Sequence, residues 1–172
     1  MEWVYFPKTE PIPEPLSDTV AAFHRHHSQI DSRRNDNNEE RLKSDEVLAI
    51  LSPSLEQLGF DVEKSKRKAD KIRIPVLYGV QGREDLCFEA DAYCTASKTV
   101  VEVEAGRAVV NYQFLKDIFQ ASMMVNTDYL ILAVRNLYKG SNDFEKVLKY
   151  LETIYLTNKI KFELKGIVLI GY

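Results

Sequence analysis

Two short runs carry acids where a sheet would normally bury apolar side chains: Phe88-Glu89-Ala90-Asp91-Ala92-Tyr93 and Val100-Val101-Glu102-Val103-Glu104. Both have the composition of β-strands. In a strand, alternate side chains share a face. Val101 and Val103 therefore face one way and Glu102 and Glu104 the other, while Glu89 and Asp91 share a face of the preceding run. Neighbouring strands would bring three or four carboxylates to one place. Carboxylates that close repel and raise one another's pKa, and a cation offsets the repulsion. Ligands that are all oxygen suit a hard divalent ion, Mg²⁺ first and Mn²⁺ as the alternative.

The elements that must hold these acids follow from the rest of the chain. Its 172 residues fit a single domain, 1–172, with a sizeable core. No apolar run approaches the roughly 18 residues of a membrane span, and Met1-Glu2-Trp3-Val4-Tyr5-Phe6-Pro7 lacks the basic start and long apolar region expected of a signal peptide. Cys87 and Cys94 fall on opposite faces of a strand, which argues against a disulfide between them; a reducing, cytoplasmic setting is expected. The net charge of −3 does not advertise nucleic-acid binding, but positive charge is dense in Lys64-Ser65-Lys66-Arg67-Lys68-Ala69-Asp70-Lys71-Ile72-Arg73.

Residues 1–16 are Pro-rich and read as an extended arm. A short helix is expected from about Thr19 to Ile30, capped by Ser17-Asp18; its His24, His26 and His27 read as a solvated polar face rather than a metal site. Asp31 to Glu40 reads as a loop. A helix follows, from Glu39 or Ser44 to Leu58, with a Leu48, Leu51, Leu55, Leu58 stripe and a kink or restart at Ser52-Pro53; Gly59 ends it. Strands are expected at Phe60–Glu63, Lys71–Tyr78, Leu86–Cys94 and Thr99–Glu104, as an antiparallel meander. A helix is expected from Arg107 to Val125 on a Val110, Phe114, Ile118, Ala121, Val125 stripe. A strand buried on both faces at Asp128–Val134, a helix at Asn142–Thr153 and a strand at Lys161–Ile170 complete the chain. The fold class is α/β, an α+β mixed sheet with helices packed on it.

This order, with Asp91 on one strand and Glu102-Val103-Glu104 closing the next, resembles the PD-(D/E)xK nuclease superfamily over roughly residues 44–135. The resemblance implies a restriction-endonuclease-like core of helix, three-stranded meander, helix and strand. Asp91 matches the Asp of the motif and Glu102 the (D/E). Two positions depart: Ala90 stands where the motif has Pro, and Glu104 where it has Lys, which puts a lysine-dependent mechanism in doubt. The Glu-x-Glu end is similar to that of a subgroup of type II restriction endonucleases. The superfamily's first core helix often supplies a further acid, which would be Glu46, with Glu56 behind it. The implied activity is Mg²⁺-dependent endonucleolytic hydrolysis of double-stranded DNA, with Asp91 and Glu102 as direct metal ligands and Glu104 holding a water, binding a second ion or accepting the nucleophile's proton. Arg107 would neutralise the scissile phosphate, with Asn111 one turn on. Lys66, Arg67, Lys68, Lys71, Arg73, Gln113, Lys116 and Gln120 would contact the DNA backbone. Cutting both strands would suit a two-fold homodimer.

Two other readings compete. The chain could be an inactive nuclease-like subunit that binds DNA or a protein. Alternatively, the acids could be the outer polar face of an antiparallel sheet, salt-bridged to Lys98 or Lys71. The discriminating question is whether Asp91, Glu102 and Glu104 meet.

Overall fold

The computed structural model describes residues 1–34 and 41–172. The expected helix start at Glu39 and most of the 31–40 loop lie outside the described residues.

In chain order the strands are β1 (Glu2–Phe6), β2 (Asp61–Val62), β3 (Ile72–Tyr78), β4 (Glu84–Ala90), β5 (Ala92–Cys94), β6 (Thr99–Glu104), β7 (Tyr129–Val134), β8 (Leu137–Tyr138), β9 (Ser141–Asn142) and β10 (Gly166–Gly171). The helices are α1 (Glu14–Ile30), α2 (Ser44–Gln57), α3 (Gln113–Met123) and α4 (Asp143–Thr157). Six strands form one mixed sheet in the order β1-β10-β7-β6-β5-β2. Its centre is parallel, β10 on β7 and β7 on β6, and its flanks are antiparallel. The strands β3 and β4 form a separate ribbon, and β8 and β9 a small hairpin.

Alternation along β6, β7 and β10 divides the apolar side chains between two layers. Val101, Val103, Ile131, Ala133, Val168 and Ile170 pack under α1 and α2, against Phe23, Leu51 and Leu55. Val100, Leu130, Leu132, Val134, Ile167 and Leu169 pack under α3 and α4, against Phe114, Ile118 and Leu151. Helices thus cover both faces, as parallel central strands require.

Four expectations change. Residues 1–16 are not an arm: Glu2–Phe6 pairs along β10, with Tyr5 and Phe6 buried, and α1 already starts at Glu14, so Ser17 and Asp18 lie inside the helix and do not cap it. Trp3-Val4-Tyr5-Phe6 has high strand propensity, and its burial outweighs the neighbouring prolines. Pro53 lies inside an unbroken α2, where the buried Leu51 and Leu55 flank it. The helix expected from Arg107 begins only at Gln113, because Asn111 and Tyr112 take left-handed backbone (φ 52° and 54°) and Val110 is exposed. The final strand starts at Gly166, not Lys161.

Candidate active site

The acid-bearing strands owe their geometry to an insertion. β2 pairs with β5 as Val62 to Ala92, and the Glu63 N–H donates to the Asp91 carbonyl at 2.8 Å. Pairing resumes at Ile72 with Ala90. The residues between, Lys64 to Lys71, loop out, and the partner strand bends at Asp91 between β4 and β5. The bend separates two acids expected to share a face. Glu89 stays on the ribbon beside Lys71, at 3.5 Å, while Lys71 also pairs with Glu63 at 2.8 Å. The salt-bridged structural reading therefore holds for Glu89. Asp91 turns the other way: its Oδ2 accepts the Val103 N–H at 2.7 Å. The β5–β6 register pairs Ala92 with Val101, so Asp91 stands opposite Glu102.

Glu102 and Glu104 alternate with Val101 and Val103 and so face α3. There they meet an acid that the reading of the sequence did not single out. Asp117 is 4% exposed, hydrogen-bonded with Glu104 carboxyl to carboxyl, and its Oδ2 is buried with no hydrogen-bond partner. A signal for it exists in the sequence. Asp117 occupies the i+3 position of the buried stripe Phe114, Ile118, Ala121, where an apolar side chain belongs.

Electrostatics ties the four together. Burial, then the repulsion of Glu63 and Asp117, lifts Asp91 from 3.8 to about 6 against the pull of its Val103 hydrogen bond. Burial and then Asp91, Asp117 and Glu104 hold Glu102 well above the ordinary range. Burial, then Asp117 as neighbour and hydrogen-bond partner, takes Glu104 from 4.5 to about 7. Burial also raises Asp117. Lys116 is the cation that counters Glu102, Glu104 and Asp117, and Lys71 counters Asp91. None of the four acids forms an ion pair within 4 Å among the described residues.

The cluster opens at Glu104 into a cavity of about 390 Å³. Its rim carries Lys43, Lys66, Arg107 and Lys116, with Gln113 beside them. Four cations around the one cluster carboxylate that reaches the cavity, Glu104, suit an anionic ligand.

The remaining expected residues divide. Arg107 is at the rim, though in an irregular segment instead of on a helix. Asn111 is exposed in the left-handed turn and lines no part of this cavity. Lys116 and Gln113 reach the cavity and Gln120, further along α3, does not. Lys66 reaches it while pairing with Asp45 at 3.1 Å. Arg67 and Lys68 are exposed on the inserted loop. Lys71 is committed to Glu63 and Glu89, so it is not a free phosphate contact. Arg73 lines a second, larger groove of about 980 Å³ with Lys64, Lys98 and Tyr93. Glu46 is a correction: it is exposed at the start of α2, where its Oε2 accepts the Lys43 N–H at 2.6 Å and closes the helix end. Glu56 pairs with Lys64 at 3.7 Å, also outside the cluster. Of the three histidines read as a solvated polar face, only His24 is exposed: His26 is half-buried against Ser54 at 2.9 Å and His27 is half-buried against the N-terminal amine at 2.8 Å. Cys87 and Cys94 are free thiols.

Among the described residues no three His, Cys, Asp or Glu side chains stand in an arrangement ready to hold a metal ion. The donors nonetheless fit one chemically. They are all carboxylates, one buried oxygen lacks any partner, and the Glu104–Asp117 contact needs a proton or a cation between its oxygens. No helix of the described residues is long and apolar enough to cross a membrane. No known protein family, no curated protein and no solved structure matches the chain.

Proposed function

We propose that the chain is a divalent-metal-dependent endonuclease that hydrolyses DNA phosphodiester bonds, of restriction type and built on a restriction-endonuclease-like core. One observation carries the reading: Asp91, Glu102, Glu104 and Asp117 form a largely buried cluster of like charge that reaches, through Glu104, a cavity lined by Lys43, Lys66, Arg107 and Lys116. Keeping such acids together is costly without a counter-ion, and the rim matches a phosphate backbone.

Asp91 and Glu102 would hold Mg²⁺ or Mn²⁺ in this reading, and Glu104 and Asp117 could add further carboxylate oxygens. A bound divalent ion supplies an activated water and offsets charge on the phosphoryl oxygens. Glu104, the cluster acid that lines the cavity, would take a proton from water there where it is not itself a ligand. Arg107 and Lys116 would draw the phosphate in, and Lys43 and Lys66 would contact the neighbouring backbone. Double-stranded DNA is the partner.

The test is nicking of supercoiled plasmid in Mg²⁺ or Mn²⁺ by the wild-type chain and by Glu102→Ala. Loss of a ligand is expected to slow nicking by at least about a thousandfold. Nicking that survives Glu102→Ala removes the assignment. A second reading, a nuclease-like subunit that binds DNA without cutting, is favoured by the acids not standing ready for a metal and by Glu104 at the lysine position. Salt-sensitive DNA binding with no nicking in either ion selects it.

A further inference from the structure

The larger groove, of about 980 Å³, shares no lining residue with the acid-bearing cavity, and the proposed cutting of DNA does not call on it. Its size falls within the roughly 300–1,000 Å³ of clefts that hold ligands. It is lined by β2, where the six-stranded sheet ends, and by the first half of β3. The strand register pairs Asp61 of β2 directly with Tyr93 of β5, so a carboxylate stands beside an aromatic ring on one face of the sheet. The Tyr93 hydroxyl donates to the Asn126 carbonyl at 2.7 Å, which fixes the ring in place. Tyr78, at the far end of β3, adds a second ring to the lining. It is 55% exposed and packs against no other ring among the described residues.

The charged groups of the groove are loosely held. Asp61 and Arg73 are exposed, and neither forms an ion pair among the described residues. Glu89, the cross-strand neighbour of Arg73, is taken by Lys71 at 3.5 Å. Lys98 reaches Asp128 only at 3.7 Å, and Lys165 stands closer to that carboxylate, at 3.0 Å. Lys64 reaches Glu56 at 3.7 Å. Exposed pairs of that length contribute little, so three cations can turn to an incoming anion. Rings that stack, cations that meet phosphate and a bare carboxylate that accepts from an amino group are the parts that hold unpaired nucleotides. A duplex keeps its base faces inside its own stack and offers none to such rings.

We propose that this groove binds a short stretch of single-stranded nucleic acid, with bases stacked on Tyr78 and Tyr93, the amino group of one base donating to Asp61, and phosphates held by Arg73, Lys64 and Lys98. Cytosine carries such an amino group and thymine does not, so the groove favours cytosine. Two rings in one groove suit successive bases of a strand rather than a single free nucleotide. The proposal goes beyond the nuclease reading and does not rest on it, because the groove is complete without any residue of the acid cluster.

Fluorescence anisotropy of the full chain with labelled oligo-dC and oligo-dT of about 12 nucleotides, within the span of single-strand grooves, reads it directly. EDTA is present throughout, so a chain that never cuts DNA still answers. Oligo-dC is expected to bind about fivefold more tightly than oligo-dT. Tyr78→Ala should weaken both by about tenfold. Asp61→Ala should abolish the preference for oligo-dC without weakening oligo-dT. Arg73→Ala should lower the slope of log affinity against log salt by about 0.7. Thermal unfolding of each variant, unchanged from wild type, shows that these exposed substitutions leave the fold intact. The matching RNA strand, run beside the DNA, tells which sugar the groove takes, and loss of either strand's affinity with Tyr78→Ala supports the proposal. Failure to bind any strand, binding indifferent to Tyr78→Ala, or equal affinity for oligo-dC and oligo-dT overturns it. Binding that depends on Lys116 and not on Arg73 places the strand in the acid-bearing cavity and overturns it. So does dCMP binding as tightly as oligo-dC, which would mean a mononucleotide pocket, or a duplex that binds better than the strand and loses that binding with Tyr78→Ala.

Discussion

Glu104→Gln is expected to make the metal-free protein more stable at pH 8. The substitution keeps the side chain's shape and removes one charge from a cluster that already holds three others. Burial and Asp117 raise Glu104 from 4.5 to about 7, so keeping it ionised in the fold costs roughly 3 kcal/mol above pH 7. Asp91, raised from 3.8 to about 6, adds a cost of similar order. A carboxyl with a raised folded pKa imposes no penalty while it is protonated in both states. The penalty grows as pH climbs from the ordinary value to the folded one and is complete above it. For Glu104 that window is pH 4.5 to about 7. A glutamine amide retains one hydrogen bond toward Asp117, so the gain is discounted to about 1–3 kcal/mol, or roughly 3–10 °C in Tm for a chain of this size. The assay is thermal unfolding by circular dichroism in EDTA at pH 4 and pH 8. The variant should match wild type at pH 4 and exceed it at pH 8. Equal destabilisation at both pH values would show that Glu104 is held by packing rather than strained by charge, and the reasoning about the cluster would fail with it.

Three further outcomes are expected. Saturating Mn²⁺ should raise the wild-type Tm at pH 8, by about 2.7 kcal/mol at a hundredfold excess over Kd, and Asp117→Asn should blunt that gain; a Tm indifferent to the ion refutes the metal centre. Removing Lys116 or Arg107 should weaken DNA binding at every sequence and lower the slope of log affinity against log salt by about one; an unchanged slope would take that side chain off the backbone. Gly106→Ala should unfold at clearly lower temperature, because the residue has φ +124° and an added Cβ would stand 2.3 Å from the Tyr138 ring; a neutral result would mean that Tyr138 moves freely.

The acids were legible because alternation needs only the local sequence: Val101 and Val103 against Glu102 and Glu104 can be sorted with no knowledge of the fold. The order of helices and strands was legible for the same reason, since each long apolar run carries its own period. What failed was tertiary. Leu86–Cys94 reads as one uninterrupted strand, and nothing within it announces that Asp91 bends away from Glu89; the cause is the eight residues looped out of the opposing strand. Glu46 stands where the family resemblance implies a further acid, yet it serves the nearest backbone N–H, a local bond that competes with any distant role. Asn111 tolerates left-handed backbone well enough to delay α3 by six residues from the expected start, which moved Arg107 off the helix. Asp117 was overlooked because a lone acid within an amphipathic helix is usually assigned to the solvent side, and only the exact phase of the Phe114, Ile118, Ala121 stripe places it inside.

The pairing of β5 with β6 also decides which misfolded states the chain can visit. Sliding β6 by a single residue relative to its neighbours would exchange its two faces. Glu102 and Glu104 would then be driven among Leu51, Leu55 and Phe23 beneath α1 and α2, with no water, cation or hydrogen-bond donor to receive them. Uncompensated charge in such surroundings is among the most expensive errors a fold can make. The carboxylates on one side of the sheet would therefore also act as a ratchet during folding, admitting one alignment of the central strands and expelling the next.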